Sequence, residues 1–204
     1  MTRRERPRVT EDTPDPHWFV DIFRATERYH RDLVGAPMVC AVQSGRIDPV
    51  TARQFLLQFG LSVIQPFPER LAKLLRRPGL QEDLQLFLRA NRIQERAHWR
   101  GWLQMSQVWD IDAVDFAEVT LCPKAMVFRE YFDALTDTRT PLAVALLGIL
   151  SVESAAAKVT TFIAPALSAR IGKENTAWIE AHAEIDTNHL ADLREFTKRA
   201  AREV

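Results

Sequence analysis

Apolar residues recur along this chain at three- and four-residue intervals, and nowhere alternate as a half-buried strand would. Punctuation marks divide the pattern. Residues 1–14 are polar and proline-rich and read as a flexible tail, leaving 15–204 as one domain. Asp15-Pro16 reads as an N-cap followed by proline at the first helical position, opening a helix to about Val34. Ala36–Ser44 is a short helix closed by Gly45. Asp48-Pro49 starts another that runs to about Arg77, with Pro66 and Pro68 expected to kink or split it. Pro78-Gly79 is a break, and Leu80–Val108 a long helix. Asp112 caps a helix to about Leu121, and Pro123 opens one to about Leu135. Thr140-Pro141 caps an apolar helix ending near Pro165. Gly172 is a stop, and Lys173–Arg202 is the final helix. The expectation is an all-α bundle of about seven to eight helices.

Two of these helices carry polar residues at helical spacing. On the long helix, Glu95-x-x-His98 puts a carboxylate and an imidazole on one face, since residues three apart are neighbours on the helix surface. On the last, His182-x-x-x-Asp186-x-x-His189 forms a stripe, while Glu184 points away. The apolar helix contributes a third element. Within Pro141–Ile163 only Glu153 and Lys158 are ionisable. A helix apolar nearly all round is buried, and a carboxylate inside it is costly unless its charge is compensated. A metal would compensate it; the competing reading is an ion pair with a buried arginine or a protonated, hydrogen-bonded carboxyl. Small residues Gly148, Ser151 and Ser154 to Ala157 flank Glu153 and permit close helix approach. Together the motifs supply three carboxylates and three imidazoles, a ligand set for two iron or manganese ions. Helical bundles build such sites from Glu-x-x-His pairs projecting inward.

Composition narrows the picture. With 204 residues, 47% hydrophobic and 26% charged, the chain is an ordinary globular protein long enough for a full core. Lysines and arginines balance aspartates and glutamates at 27 each, which argues against nucleic acid or an anionic membrane as a partner. Cys40 and Cys122 stand in no metal-ligand or redox spacing, and no apolar leader opens the chain, so a cytoplasmic location is expected. The apolar stretch 141–152 is too short and interrupted to span a bilayer.

The six residues resemble the pattern of the haem-oxygenase-like diiron oxidases and oxygenases, relatives of thiaminase II and the pyrroloquinoline-quinone synthase. That family places a Glu and a His on one core helix, a lone Glu on a later one, and His-x-x-x-Asp-x-x-His on the last, matched here by Glu95, His98, Glu153, His182, Asp186 and His189. The segment 45–60 also looks like the lead-in to a core helix of that superfamily. Some members take the first Glu from seven residues before the His, where this chain has Asn91. The resemblance implies a haem-oxygenase-like bundle holding two Fe(II) ions, with manganese as the alternative, and O2 as cosubstrate. It implies oxidative cleavage, decarboxylation or N-oxygenation of a small amine, amino acid or fatty acid in a biosynthetic pathway. An external electron donor and a homodimer are further implied partners. Oxygen and imidazole donors without thiolate suit iron or manganese.

Two other readings stay open: a metal-independent hydrolase or lyase like thiaminase II, with Cys122 as nucleophile, and a non-catalytic metal-binding helical protein. Haem ligation by His17 or His30 would leave the six-residue pattern unexplained. Arg92, Arg96 and Arg100 read as a solvated face, and Phe55, Phe59, Phe67, Trp99 and Trp102 as core.

Overall fold

The computed structural model describes residues 15–202, with side chains except at 184–188. Nine α-helices and no strand occur among the described residues. They are α1 (His17–Val34), α2 (Pro37–Gln43), α3 (Pro49–Phe59), α4 (Phe67–Leu75), α5 (Glu82–Gln107), α6 (Ala113–Glu118), α7 (Pro123–Leu135), α8 (Leu142–Ile171) and α9 (Ala177–Arg202). A π-helical turn, Gly60–Ile64, follows α3, and a 3-10 turn, Lys173–Asn175, precedes α9.

Several boundaries depart from expectation for identifiable reasons. The single helix expected over 48–77 is split by Pro66 into α3 with its π-turn and then α4, which adds one helix to the anticipated number. Helix α6 stops at Glu118 rather than near Leu121. The Gln58 side-chain amide donates to the Thr120 carbonyl at 3.1 Å, and its oxygen accepts from the Cys122 backbone N–H at 2.7 Å. Pro123 further biases Cys122 to extended backbone. Helix α8 continues past Pro165 to Ile171. Pro165 is exposed, so the carbonyl it cannot engage, on exposed Thr161, faces solvent. The final helix begins at Ala177, four residues late, behind the 3-10 turn.

Two expected caps are not caps. The Asp15 carboxylate instead accepts from Lys198 Nζ at 2.8 Å and from Arg194, fastening the start of α1 to α9. The Thr140 hydroxyl donates to the Ala134 carbonyl at 2.8 Å, back into α7. Asp48 and Asp112 do cap: Asp48 accepts from the Thr51 N–H, and Asp112 forms a reciprocal box with Asp115.

The apolar interior falls into two clusters. One gathers Phe19, Leu71, Leu74, Phe132, Leu146 and Leu193 with their neighbours. The other gathers Leu56, Trp102, Met105, Ile163, Trp178 and Ile179. Three helices pass through both. Helix α5 leaves the first at Leu88 and enters the second at Trp102; α8 leaves at Leu150 and enters at Ile163; α9, running the other way, leaves the second at Ile179 and enters the first at Leu193. The intervals between those points hold Glu95 and His98, Glu153, and the His182–His189 stripe. The polar residues thus form a belt between two apolar layers. Helix α8, at 30 residues, is long and apolar enough on those measures alone to cross a bilayer. Here Ala145, Leu146, Ile149 and Leu150 are instead fully packed in the first cluster.

Candidate metal centre

In the belt, Glu95, His98 and His182 each offer a ligand atom within 4.8 Å of the others. The arrangement follows from register. Glu95 and His98 lie one turn apart on α5, and His98 Nδ1 stands 3.1 Å from Glu95 Oε2. Helix α9 runs antiparallel to α5, bringing the His182 ring to 4.4 Å from the His98 ring, centroid to centroid. His182 Nδ1 lies 2.8 Å from the Trp178 carbonyl, one turn back on α9. A carbonyl can only accept, so Nδ1 carries the proton and the Nε2 lone pair is free for a cation. The Trp178 ring also lies against His182, tilted by 38° with centroids 4.1 Å apart, and meets Trp102 edge-on.

A small cavity of about 10 Å³ is lined by Glu95, His98, Glu153, His182 and His189, together with Gln94 and Ala181. That is about the space of one water or one ion. Five of the six residues singled out in the sequence therefore meet around one void, delivered by three helices. His189 sits at the end nearer the first cluster, against the Phe87 ring at 5.0 Å. The Asp186 side chain lies outside the described residues.

The electrostatics are those of a dry site. Burial pushes the Glu95 carboxyl up to about 8 and the His98 imidazole down to about 4. Burial, with His98 nearby, likewise lowers His182 to about 4. The imidazoles of His98 and His182 are thus neutral, as metal ligands must be, and burial favours the protonated form of Glu95. No lysine or arginine lines either cavity among the described residues. Glu95, His98 and His182 are thus a buried group that could hold a metal ion.

A second, larger cavity of about 400 Å³ adjoins the belt and shares Glu95, Glu153 and His182 with it. Its remaining walls come from α2, α3, the π-turn, α5, α8 and α9, with Leu33 of α1, Phe67 of α4, Phe128 of α7 and the loop residues Ile47 and Trp109. Phe67 and Trp102 are buried in the core as expected, and Phe55, Phe59 and Trp99 pack against it; all but Trp99, which meets Phe116, also line this cavity. No signal in a single helix separates cavity wall from core, because both present the same apolar stripe. The other candidates lie elsewhere. Arg92 and Arg96 pair with Glu69, at 3.1 and 3.8 Å, and Arg100 is exposed. Cys122 is exposed at the start of α7 and lines neither cavity. His17 is exposed, and His30, though buried on α1, borders neither cavity.

No family model and no curated protein matches this chain. Solved structures do. A TenA homologue from Pseudomonas syringae pv. tomato superposes with a TM-score of 0.76 at 16% identity, over 95% of this chain and 94% of that one. A domain of unknown function with a haem oxygenase-like fold, from Shewanella denitrificans, superposes with a TM-score of 0.70 at 13% identity, over 88% and 78%. The fold is haem-oxygenase-like; identity this low carries the architecture and not the activity.

Proposed function

We propose that this protein is an O2-activating, non-haem diiron oxidoreductase acting on a small organic substrate. The observation that carries the proposal is the convergence of Glu95, His98, Glu153, His182 and His189 on one buried void beside an apolar chamber. Asp186 completes the set by its place in the α9 stripe. The donors are hard oxygens and neutral imidazoles, suited to iron or manganese. Iron(II), when bound, supplies the electrons that reduce O2.

The chain's own groups do the rest. Glu95, Glu153 and Asp186 offset cation charge. The Trp178 carbonyl holds the His182 tautomer, and the Trp178 and Trp102 rings close the site on the side of the second cluster. Apolar walls exclude water, which strengthens the electrostatics inside and protects reactive species from side reactions. The thiaminase-like alternative needs a nucleophile at the chamber, and Cys122 lies outside it. A metal-storage role gives no reason for an apolar chamber sharing three of its residues with the donors.

The test is anaerobic Fe(II) titration followed by an O2 pulse watched by visible absorption. Two irons per chain and a transient charge-transfer band are expected, both lost in His182→Ala and Glu153→Ala. No tight iron binding, or binding indifferent to those substitutions, would sink the proposal.

A further inference from the structure

The lining of the large cavity shows where a ligand can enter. Among the described residues that line it, Leu33 on α1 and Phe128 on α7 are the exposed ones, at 42% and 39%; the others are buried or half-buried. Register brings the two to one level. Leu135 of α7 lies against Gly148 of α8. A short connection makes these helices antiparallel, so seven residues back from Leu135 and seven on from Gly148 set Phe128 opposite Ala155. Helix α1 holds Asp15 at Lys198 and Phe23 at Arg194, so it runs antiparallel to α9 and parallel to α8. Its His30 lies at the Ser151 backbone, and Leu33, one turn on, therefore also comes level with Ala155. Ala155 lines the cavity, and its small side chain leaves room between the two.

The rim is apolar and aromatic. The chain's two tyrosines, Tyr29 and Tyr131, stand one turn from Leu33 and Phe128 respectively, and both are exposed. Grouped exposed apolar side chains mark a place where something binds or passes. Helix α7 is tied on both sides of Phe128. Arg70 donates to Asp133 at 2.8 Å and to the Arg129 carbonyl at 3.4 Å, and Gln58 fastens the chain at Thr120 and Cys122. The backbone is thereby held. Opening falls to the Phe128 side chain, whose ring lies 6.0 Å from that of Phe132 with one edge in solvent.

We propose that ligands enter and leave the chamber between α1 and α7, and that Phe128 is the gate that sets the cross-section admitted. A ligand passes only while the ring is turned aside, so the ring scales entry and exit alike and leaves the affinity to the walls. A molecule too broad for the open mouth is refused even where the chamber could hold it. The inference rests on the proposed function only in taking the chamber as the substrate's place.

The full-length, metal-free protein is mixed by stopped flow with N-phenyl-1-naphthylamine, a neutral fluorophore that brightens in apolar surroundings. Phe128→Ala should raise both rate constants about fivefold and Phe128→Trp lower both about fivefold, with Kd within about twofold of the parent. The gain in Phe128→Ala should be larger for pyrene, which is broader. Val127→Ala, exposed on α7 but off the lining, should leave both rates unchanged. No binding of either probe, association indifferent to both Phe128 variants, a change confined to dissociation, or equal gains for the two probes would overturn the proposal. Faster association in Trp109→Leu than in Phe128→Ala would overturn it too, placing the entrance at the end of the chamber away from the belt. Fe(II) titration of Phe128→Ala should match that of the parent. A parent that takes up no iron would sink the diiron reading and leave the gate to stand on these rates.

Discussion

Arg70 shows how much a single side chain holds in place. It is completely buried on α4, donating from Nε to Asp133 at 2.8 Å and from Nη2 to the Ser62 carbonyl at 2.9 Å, with its guanidinium 4.3 Å from the centre of the Phe132 ring. Those partners join the π-turn to α7. Burial pulls its pKa down, and Asp133 offsets part of that shift. Arg70→Met removes the charge but leaves the carbonyl unsatisfied; a loss of about 3 kcal/mol is expected in urea denaturation. Arg70→Lys should not restore it, because an ammonium cannot reproduce the planar fork. Asn91 is the opposite case. It is 2% exposed, and neither amide atom has a hydrogen-bond partner. Asn91→Leu should therefore raise the stability of the metal-free protein by about 1 kcal/mol in the same assay. A fall would mean that the amide has a partner in solution. The spacing of Glu95 and His98 was readable in advance. Arg70 was not, since a lone arginine in an amphipathic helix reads as surface.

At the scale of elements, the π-turn and the last helix carry the sharpest expectations. Gly60 opens the π-turn, and a Cβ there would stand 2.6 Å from Trp102 Nε1 and 2.8 Å from Phe116. The indole cannot retreat cheaply, because it donates to the Leu56 carbonyl at 3.1 Å. Gly60→Ala should destabilise by about 2 kcal/mol despite alanine's better helix propensity. It should also weaken ligand binding, since Val63 and Ile64 of the turn line the chamber. The end of α9 is tied down by Asp15 through Lys198 and Arg194. Burial raises the Asp15 pKa, but these two cations more than offset it, and the net shift is downward. The unfolded chain therefore takes up its proton first as pH falls. The stabilisation is complete above the ordinary carboxylate range and is lost as pH drops through the lower folded value. Asp15→Asn should cost about 1 kcal/mol at neutral pH and reduce the acid-side slope of thermal stability. Helix periods and proline breaks were legible for most elements because they are local. The π-turn and the liberation of Asp15 from capping were not, because each is decided by what packs against it, and the run of α8 past Pro165 was not, because it depends on that proline facing solvent.

For the whole molecule, the decisive feature is the polar belt between two apolar layers. Five of the residues that line the small cavity could be singled out in the sequence, Glu95, His98, His182 and His189 by helical spacing and Glu153 as a lone carboxylate in an apolar helix; Asp186 lies outside the described side chains. The chamber could not, because it exists only where stripes from several helices fail to close. The belt is where the interior gains least from apolar burial, so a bound cation should act on the stability of the entire fold. A metal at about a hundredfold excess over its dissociation constant adds about 2.7 kcal/mol to the native state. For a chain of this length that is a rise in Tm of about 5–10 °C. Thermal unfolding followed anaerobically with Mn(II), and again after chelation with EDTA, should show that rise and its reversal. Glu95→Gln keeps the shape of the side chain and removes its charge, while His182→Ala removes a donor that Trp178 holds in position. Both variants should fold but lose most of the metal-induced shift. An equal shift in either variant would place the cation outside the belt and detach the apolar chamber from metal chemistry.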